Sequence, residues 1–304
     1  MKKIIITGAT GTIGRNLAEE LFARGDEVTI FTRNPEKSKK KFGNKINIVK
    51  WDYTKPDEWK EYLNRVDIVV HLAGANLGAK RWSEEYKKLA YESRILSTRS
   101  LIEAIKSVEQ KPKTFISANA VGIYGNRYDE ILDETSTLGN DFLANLCIDW
   151  ENEVGKVQEF GVRWVSIRTG LVLIKDEGVL KKLLLPFRLF IGGPLGNGKH
   201  WVPWLHIDDI IGIYLNAIDN ENINGPLNAA SKGIVTMREF ARHLGKVLKR
   251  PSLLSVPKFA IKLVAGELGE YVVMSQRISV DKILDSGYKF KYASLEESLR
   301  DLLK

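Results

Sequence analysis

Seven residues near the start of the chain, Gly8-Ala9-Thr10-Gly11-Thr12-Ile13-Gly14, have the spacing that holds the pyrophosphate of a dinucleotide. The first glycine permits a tight turn, the second lets phosphate reach the backbone, and the third lets helix and strand pack closely. A helix opening at that point offers free N–H groups and the positive end of its dipole to an anion. A second signal follows at Phe31-Thr32-Arg33-Asn34. An acidic side chain there would accept hydrogen bonds from the adenosine ribose 2′-OH and repel a 2′-phosphate. None is in reach, because Asp26 and Glu27 precede the strand. Arg33 pairs with a phosphate, Thr32 donates to it and Lys37 adds charge. The expected cofactor is therefore NADP(H) rather than NAD(H). Asp52 either meets the adenine edge or forms the turn in Trp51-Asp52-Tyr53, and Leu72-Ala73-Gly74 is small enough for backbone to approach the cofactor.

These residues need strands and helices in alternation to bring them together. Lys3–Thr7, Val28–Phe31, Ile46–Val49, Val66–Leu72, Thr114–Ser117 and Trp164–Arg168 read as short buried strands. Helical patterns over Ile13–Ala23, Glu84–Val108 and Asp141–Phe160 separate them, which predicts βαβ units: an α/β fold with a doubly wound parallel sheet of the Rossmann kind. From about residue 175 the pattern changes. Ile191–Gly198 is a Gly/Pro-rich loop, and helices recur over Asp208–Ala217, Met237–Leu248 and Leu295–Leu303. The predicted organisation is a nucleotide-binding domain over 1–174 and a smaller, mostly helical substrate lobe over 175–304, ending in a small C-terminal domain over 250–304. The segment 208–230 is expected to pack back on the first domain.

The glycine loop, His71-Leu72-Ala73-Gly74, Ile116–Gly125, Ile167-Arg168-Thr169-Gly170 and Trp204–Asp209 together resemble the extended short-chain dehydrogenase/reductases. Further stretches narrow the resemblance to an atypical NADP-binding, epimerase-like subfamily: Arg81-Trp82-Ser83, Glu92-Ser93-Arg94, Phe187-Arg188 with Gly192–Gly196, Ser275-Gln276-Arg277 and Gly287–Tyr292. The likeness runs over essentially the whole chain. It implies a cofactor at the sheet's carboxyl edge, a substrate cleft under the C-terminal lobe, Arg94 near the cofactor, and Leu171 and Val172 at the nicotinamide end. It also implies a homodimer through the long helices.

The usual chemistry of that superfamily needs a tyrosine and a lysine four residues later, one helical turn apart on the same face. The ammonium lowers the phenol's pKa and makes it a proton donor or acceptor. No tyrosine of this chain has such a lysine. Aligning the helix on Glu151 puts Leu143 and Cys147 in the two places, and Asn119 stands for the serine that polarises a carbonyl. Asn119 can still donate to a carbonyl. Tyr124 either faces the nicotinamide as a replacement donor or packs as an aromatic in a glycine turn. Arg81 and Lys87 could hold an anionic substrate or serve as surface charges. Cys147 lies on an apolar helix face that raises its pKa. His206 organises the lobe junction, Arg168 pairs with a carboxylate, and Trp201, Trp204 and Phe187 supply an apolar cleft wall or core.

Composition removes other classes. The chain has 304 residues, 44% of them hydrophobic and 9% aromatic, which suits a packed core rather than disorder. One cysteine and four histidines make no disulfide and no zinc cage, so no metal is expected. Lys+Arg 46 against Asp+Glu 38 leaves +8, and the dense run Lys37–Lys41 reads as a solvated helix face. No nucleic-acid motif, secretory signal or membrane span accompanies it, so a cytoplasmic protein without nucleic-acid or membrane partners is expected. The predicted function is an NADP(H)-dependent oxidoreductase or epimerase-like protein acting on a small molecule. The alternative is a non-catalytic NADP(H)-binding redox sensor or regulator.

Overall fold

A computed structural model describes residues 1–43 and 45–304. The first half runs β1 (Lys3–Thr7), α1 (Thr12–Ala23), β2 (Glu27–Thr32), α2 (Pro35–Phe42), β3 (Asn47–Lys50), β4 (Ile68–His71), α3 (Glu84–Ser107), β5 (Thr114–Ala120), β6 (Ile131–Leu132), α4 (Phe142–Gly155) and β7 (Arg163–Thr169). The second half continues with β8 (Leu171–Leu173), α5 (Gly178–Arg188), β9 (Trp201–Val202), β10 (Trp204–His206), α6 (Ile207–Asp219), β11 (Gly225–Ala229) and β12 (Val235–Thr236). It closes with α7 (Met237–Leu248), α8 (Lys258–Ala265), α9 (Leu268–Tyr271), β13 (Arg277–Ile278), α10 (Asp281–Asp285) and α11 (Leu295–Leu302).

Seven strands form one parallel sheet in the order β11-β7-β5-β4-β1-β2-β3. The chain builds outward from β1 in one direction through β3, then crosses over and builds from β4 in the other. That reversal opens a crevice at the carboxyl ends of β1 and β4, where open α/β sheets bind ligands. β1 is apolar on both faces because both are covered. Ile4 and Ile6 join the core beneath α1 and α6, while Ile5 joins the core beneath α3 and α4.

Element ends follow local chemistry. Asn34 caps α2 by accepting from Lys37 N, Ser83 caps α3 by accepting from Tyr86 N, and Asp141 caps α4 by accepting from Ala144 N. Thr236 and Glu239 form a reciprocal capping box at the start of α7. The expected helix over Asp141–Phe160 is α4 followed by a 3₁₀ turn at Lys156–Phe160. Segment 208–230 does return to the sheet: α6 packs beside α1, and β11 pairs with β7 as the outermost strand. The sequence reading missed α5 and α8, whose lengths of 11 and 8 residues are broken up by Pro186 and a flanking Pro257.

Candidate functional site

The crevice is a cleft of about 820 Å³. Its floor is the glycine loop and the end of β4. Gly8 has φ +70°, and a Cβ built on it would lie 2.6 Å from the Leu72 carbonyl, so only glycine fits. A Cβ on Gly14 would lie 2.6 Å from Gly8 O and 2.7 Å from Ala9 Cα, so α1 starts with its backbone against the loop. Gly8, Thr10, Gly11, Leu72, Ala73 and Gly74 all line the cleft. Ile13 packs against the core, and Gly14 is buried under the loop; both shape the site from behind.

Thr12 turns elsewhere. Its hydroxyl donates to Glu177 Oε2 at 2.6 Å, while Arg15 pairs with Glu177 Oε1 at 3.2 Å. The residue just before α5 is thus tethered to the first turn of α1. Lys41 Nζ donates to Thr10 O at 2.9 Å, so the basic run on α2 is partly engaged with the loop rather than wholly solvated.

At the far end of the cleft stand Thr32, Arg33, Asn34 and Lys37, and no acidic residue lines it among the described residues. Arg33 and Lys37 are exposed. Thr32 Oγ1 accepts from Ser38 Oγ at 3.0 Å and Asn34 N at 3.2 Å, which fixes the hydroxyl and leaves its own proton to donate. Asp52 resolves to the turn former. Its carboxylate accepts from Thr54 N and Thr54 Oγ1, bonds that lower its pKa, and it does not line the cleft. Trp51 and Tyr53 on either side of it do.

Beneath the floor lies a satisfied polar layer. His71 Nδ1 meets Thr7 Oγ1 at 2.7 Å and its Nε2 meets Ser97 Oγ at 3.3 Å. Burial depresses its pKa to about 3, so it is neutral. Arg94 runs under Gly74, where a Cβ would meet the guanidinium carbon at 3.0 Å. It stacks over Trp150 at 5.2 Å, donates to Ala90 O, and has no ion-pair partner among the described residues.

Beyond β4 the carboxyl edge continues into a second cavity of about 320 Å³. Ala120, Val121 and Gly122 after β5, and Thr169, Gly170 and Leu171 after β7, form one side. Val179 and Leu183 of α5, Trp201 and Met237 form the opposite wall. No charged side chain lines it among the described residues. Its titratable side chains are His200, pushed down to about 4 by burial and by the Lys258 charge, and Tyr271, whose pKa burial raises. Leu171 is where the resemblance implied; Val172 instead faces the core. Trp201 lines the cavity, whereas Trp204 and Phe187 are fully buried.

Neither residue expected to catalyse faces this cavity. Side chains alternate along β5, so Asn119 points back into the protein while Ala120 lines the cavity. Asn119 Nδ2 reaches Cys147 O, Glu151 Oε2 and Ser166 Oγ. Tyr124 is fully buried; it donates to Asn228 Oδ1 at 2.7 Å and accepts from Arg168 Nη1 at 2.7 Å. Burial pushes the Tyr124 phenol up to about 12 despite Arg168. This corrects the reading of Tyr124 as a cleft-facing donor, because the short 3₁₀ turn at Val121–Tyr124 rotates the ring under the sheet. Arg168 does find its carboxylate, donating to both oxygens of Glu151 at 2.5 and 3.1 Å. Burial opposes its charge, yet Glu151 raises its pKa overall. Burial also pushes the Cys147 thiol up to about 12, with Arg94 pulling the other way.

Arg81 and Lys87 hold the C-terminal lobe instead of an anion. Arg81 donates to Leu263 O, and Lys87 bridges Glu84 and Glu267. Trp82 packs between Phe142 and Tyr271 at 5.4 and 5.3 Å. His206 caps α6, accepts from Asp208 N, and stacks on Tyr292 with ring centres 3.8 Å apart, as a junction residue would. Tyr271 in the cavity and Glu177 at the foot of α5 were not found by sequence reading, since neither sits in a motif, while Gln276 belonged to a recognised stretch but was given no place in the site.

Comparison with known proteins agrees with this geometry. Residues 4–230 match the NAD dependent epimerase/dehydratase family, and residues 256–302 match a domain of unknown function, DUF1731. An epimerase family protein of Staphylococcus haemolyticus is 36% identical over 100% of this chain and 99% of its own length. The epimerase family protein SDR39U1 homolog, chloroplastic, of Arabidopsis thaliana is 36% identical over 99% of this chain and 86% of its own. Among solved structures, human epimerase family protein SDR39U1 with NADPH aligns with a TM-score of 0.88 and 31% identity over 98% of both chains. A nucleoside-diphosphate sugar epimerase from Corynebacterium glutamicum aligns at 0.77 and 32%, covering 99% of this chain and 58% of that one.

Proposed function

Because this chain belongs to the NAD dependent epimerase/dehydratase family, we propose that it is an NADP(H)-dependent oxidoreductase or epimerase-like enzyme for a small, uncharged, largely apolar molecule. One observation carries the reading. A cleft beside the glycine loop, lined by cations and by no acid among the described residues, lies on the same sheet edge as an apolar cavity.

The residues fit the cofactor. Arg33 and Lys37 take the 2′-phosphate with Thr32 as a fixed donor, and the backbone N–H groups of the glycine loop take the pyrophosphate. Arg94, half-buried beneath Gly74 and without an ion-pair partner among the described residues, would offer the bound cofactor a fixed positive charge under the cleft floor. NADPH, when bound, supplies a hydride from nicotinamide C4. The cavity walls exclude water and receive the carbonyl carbon that accepts it. Tyr271, which lines the cavity and whose phenol burial holds above its ordinary value, would hydrogen-bond the substrate oxygen and hand it a proton, with water as the final source. A diphosphate-linked sugar would bring charges for which the cavity offers no cation, so such substrates are disfavoured.

NADPH absorbance, followed with a panel of uncharged aldehydes and ketones beside a panel of nucleotide sugars, tests the reading. Turnover with a carbonyl and none with a nucleotide sugar is expected. Tight NADPH binding with no turnover on either panel would overturn it. That outcome favours the second reading, a non-catalytic NADP(H)-binding regulator, which the structural commitment of Asn119, Tyr124 and Cys147 supports.

A further inference from the structure

The outer face of the second lobe has an unusual make-up. On α5, Leu180, Leu184 and Phe187 turn inward, while Leu185, Leu189 and the following Phe190 are 57–61% exposed. On and before α8, Ile261 turns inward, while Leu253, Phe259, Leu263 and Val264 are 74–84% exposed. Phe259 and Leu263 are one helical turn apart and share a face.

The two segments themselves carry charges of one sign, with Glu270 of α9 the acid beside Lys258, Phe259 and Lys262. Residues 178–191 contain Lys181, Lys182 and Arg188 and no acid. Residues 249–265 contain Lys249, Arg250, Lys258 and Lys262 and no acid. Seven positive charges thus lie in two short segments of a chain whose whole net charge is +8. All seven are exposed, and only Lys262 has an ion-pair partner, Glu270, among the described residues.

The two segments are one surface. Val256 N donates to Pro194 O at 2.9 Å, Gly196 N donates to Val256 O at 2.8 Å, and the Arg250 guanidinium lies 4.4 Å above the Phe190 ring. Exposed aromatic and aliphatic side chains set among unpaired lysines and arginines match the interface of an anionic bilayer, with acyl chains for the first and headgroups for the second. A second copy of the same face would oppose like charges, and a polyphosphate chain would leave the apolar side chains in water.

We propose that this face docks the protein peripherally on an anionic lipid surface. No helix among the described residues is long and apolar enough to cross a membrane, and peripheral docking needs none. The inference stands apart from the chemistry assigned to the cleft.

Co-sedimentation of the full chain with vesicles tests it. One set is phosphatidylcholine alone, and the other is phosphatidylcholine with an equal part of phosphatidylglycerol. Binding to the anionic set is expected to be at least about tenfold tighter and to weaken as salt is raised. Lys181→Glu, Lys182→Glu and Arg250→Glu combined should weaken it by about a hundredfold or more, and Phe259→Ser with Leu263→Ser by about tenfold. Each variant should bind NADPH as the parent does, which shows that it folds. Equal binding to both vesicle sets overturns the proposal. So do unaffected variants, binding confined to acidic polypeptides, or a lipid-independent dimer broken by the same substitutions.

Discussion

Replacing Arg33 by aspartate is expected to reverse the cofactor preference. Arg33 directly follows β2 at the rim of the cleft, exposed, with Lys37 in the first turn of α2 and no acidic residue lining the same space among the described residues. A charge-assisted hydrogen bond from its guanidinium to a 2′-phosphate contributes about 1.5–3 kcal/mol. Putting a carboxylate in its place adds repulsion from the phosphate, about 1–2 kcal/mol at a separation of roughly 5 Å in a solvent-rich rim. Together these make about 2.5–5 kcal/mol, or roughly 70- to 5,000-fold weaker NADPH binding. NADH lacks the phosphate, so its affinity should hold or improve as the new carboxylate accepts from the 2′-OH. Titration of both cofactors against parent and variant by calorimetry at fixed ionic strength reads the two numbers directly. A parent that prefers NADH, or a variant that keeps its NADPH affinity within threefold or so, would refute the assignment of Arg33.

Other outcomes follow from the same structure. Tyr124→Phe removes a buried hydroxyl bonded to Asn228 and Arg168. It should cost about 1–3 kcal/mol in urea unfolding and leave turnover unchanged, and a collapse of turnover in a stably folded variant would return Tyr124 to the chemistry. Gly14→Ala would place a Cβ 2.6 Å from Gly8 O, so NADPH affinity should fall by about tenfold or more; Gly155→Ala, with nothing closer than 3.6 Å, should leave it alone. His71 and His200 have pKa values pushed down to about 3 and about 4, so between those values and the usual 6.5 the unfolded chain binds protons that the fold does not. Stability should therefore drop as pH falls below about 6.5, by roughly 1–3 kcal/mol per pH unit near pH 5.5, and recover above it. Unfolding midpoints that do not move between pH 7 and pH 5 would contradict the buried, neutral state of both rings.

The half of the molecule that binds dinucleotide was legible because its chemistry is local. Gly8, Gly11 and Gly14 are adjacent in sequence, and β2 runs straight into Arg33, so spacing alone places them. The apolar cavity was not legible, because Ala120, Leu171, Val179, Trp201 and Tyr271 come together only through tertiary packing. Tyr124 and Asn119 misled for a related reason. Their positions at the end of β5 and just beyond it are right for a site, but strand alternation and a 3₁₀ turn decide which side chains face the cleft. Asp52 shows the opposite case, where two readings were open and the hydrogen bonds to Thr54 select one.

The tether between Glu177 and the first turn of α1 joins two compartments mechanically. The carboxylate stands beside the anchorage of a diphosphate, and the helix it introduces forms a wall of the neighbouring chamber through Val179 and Leu183. A change at the loop end of that rod should therefore be felt at the partition on the other, because both hang on one anchored helix start. Cutting the anchor with Thr12→Val is expected to alter the binding of an apolar probe in the chamber, a shift that would not occur if the two compartments were independent.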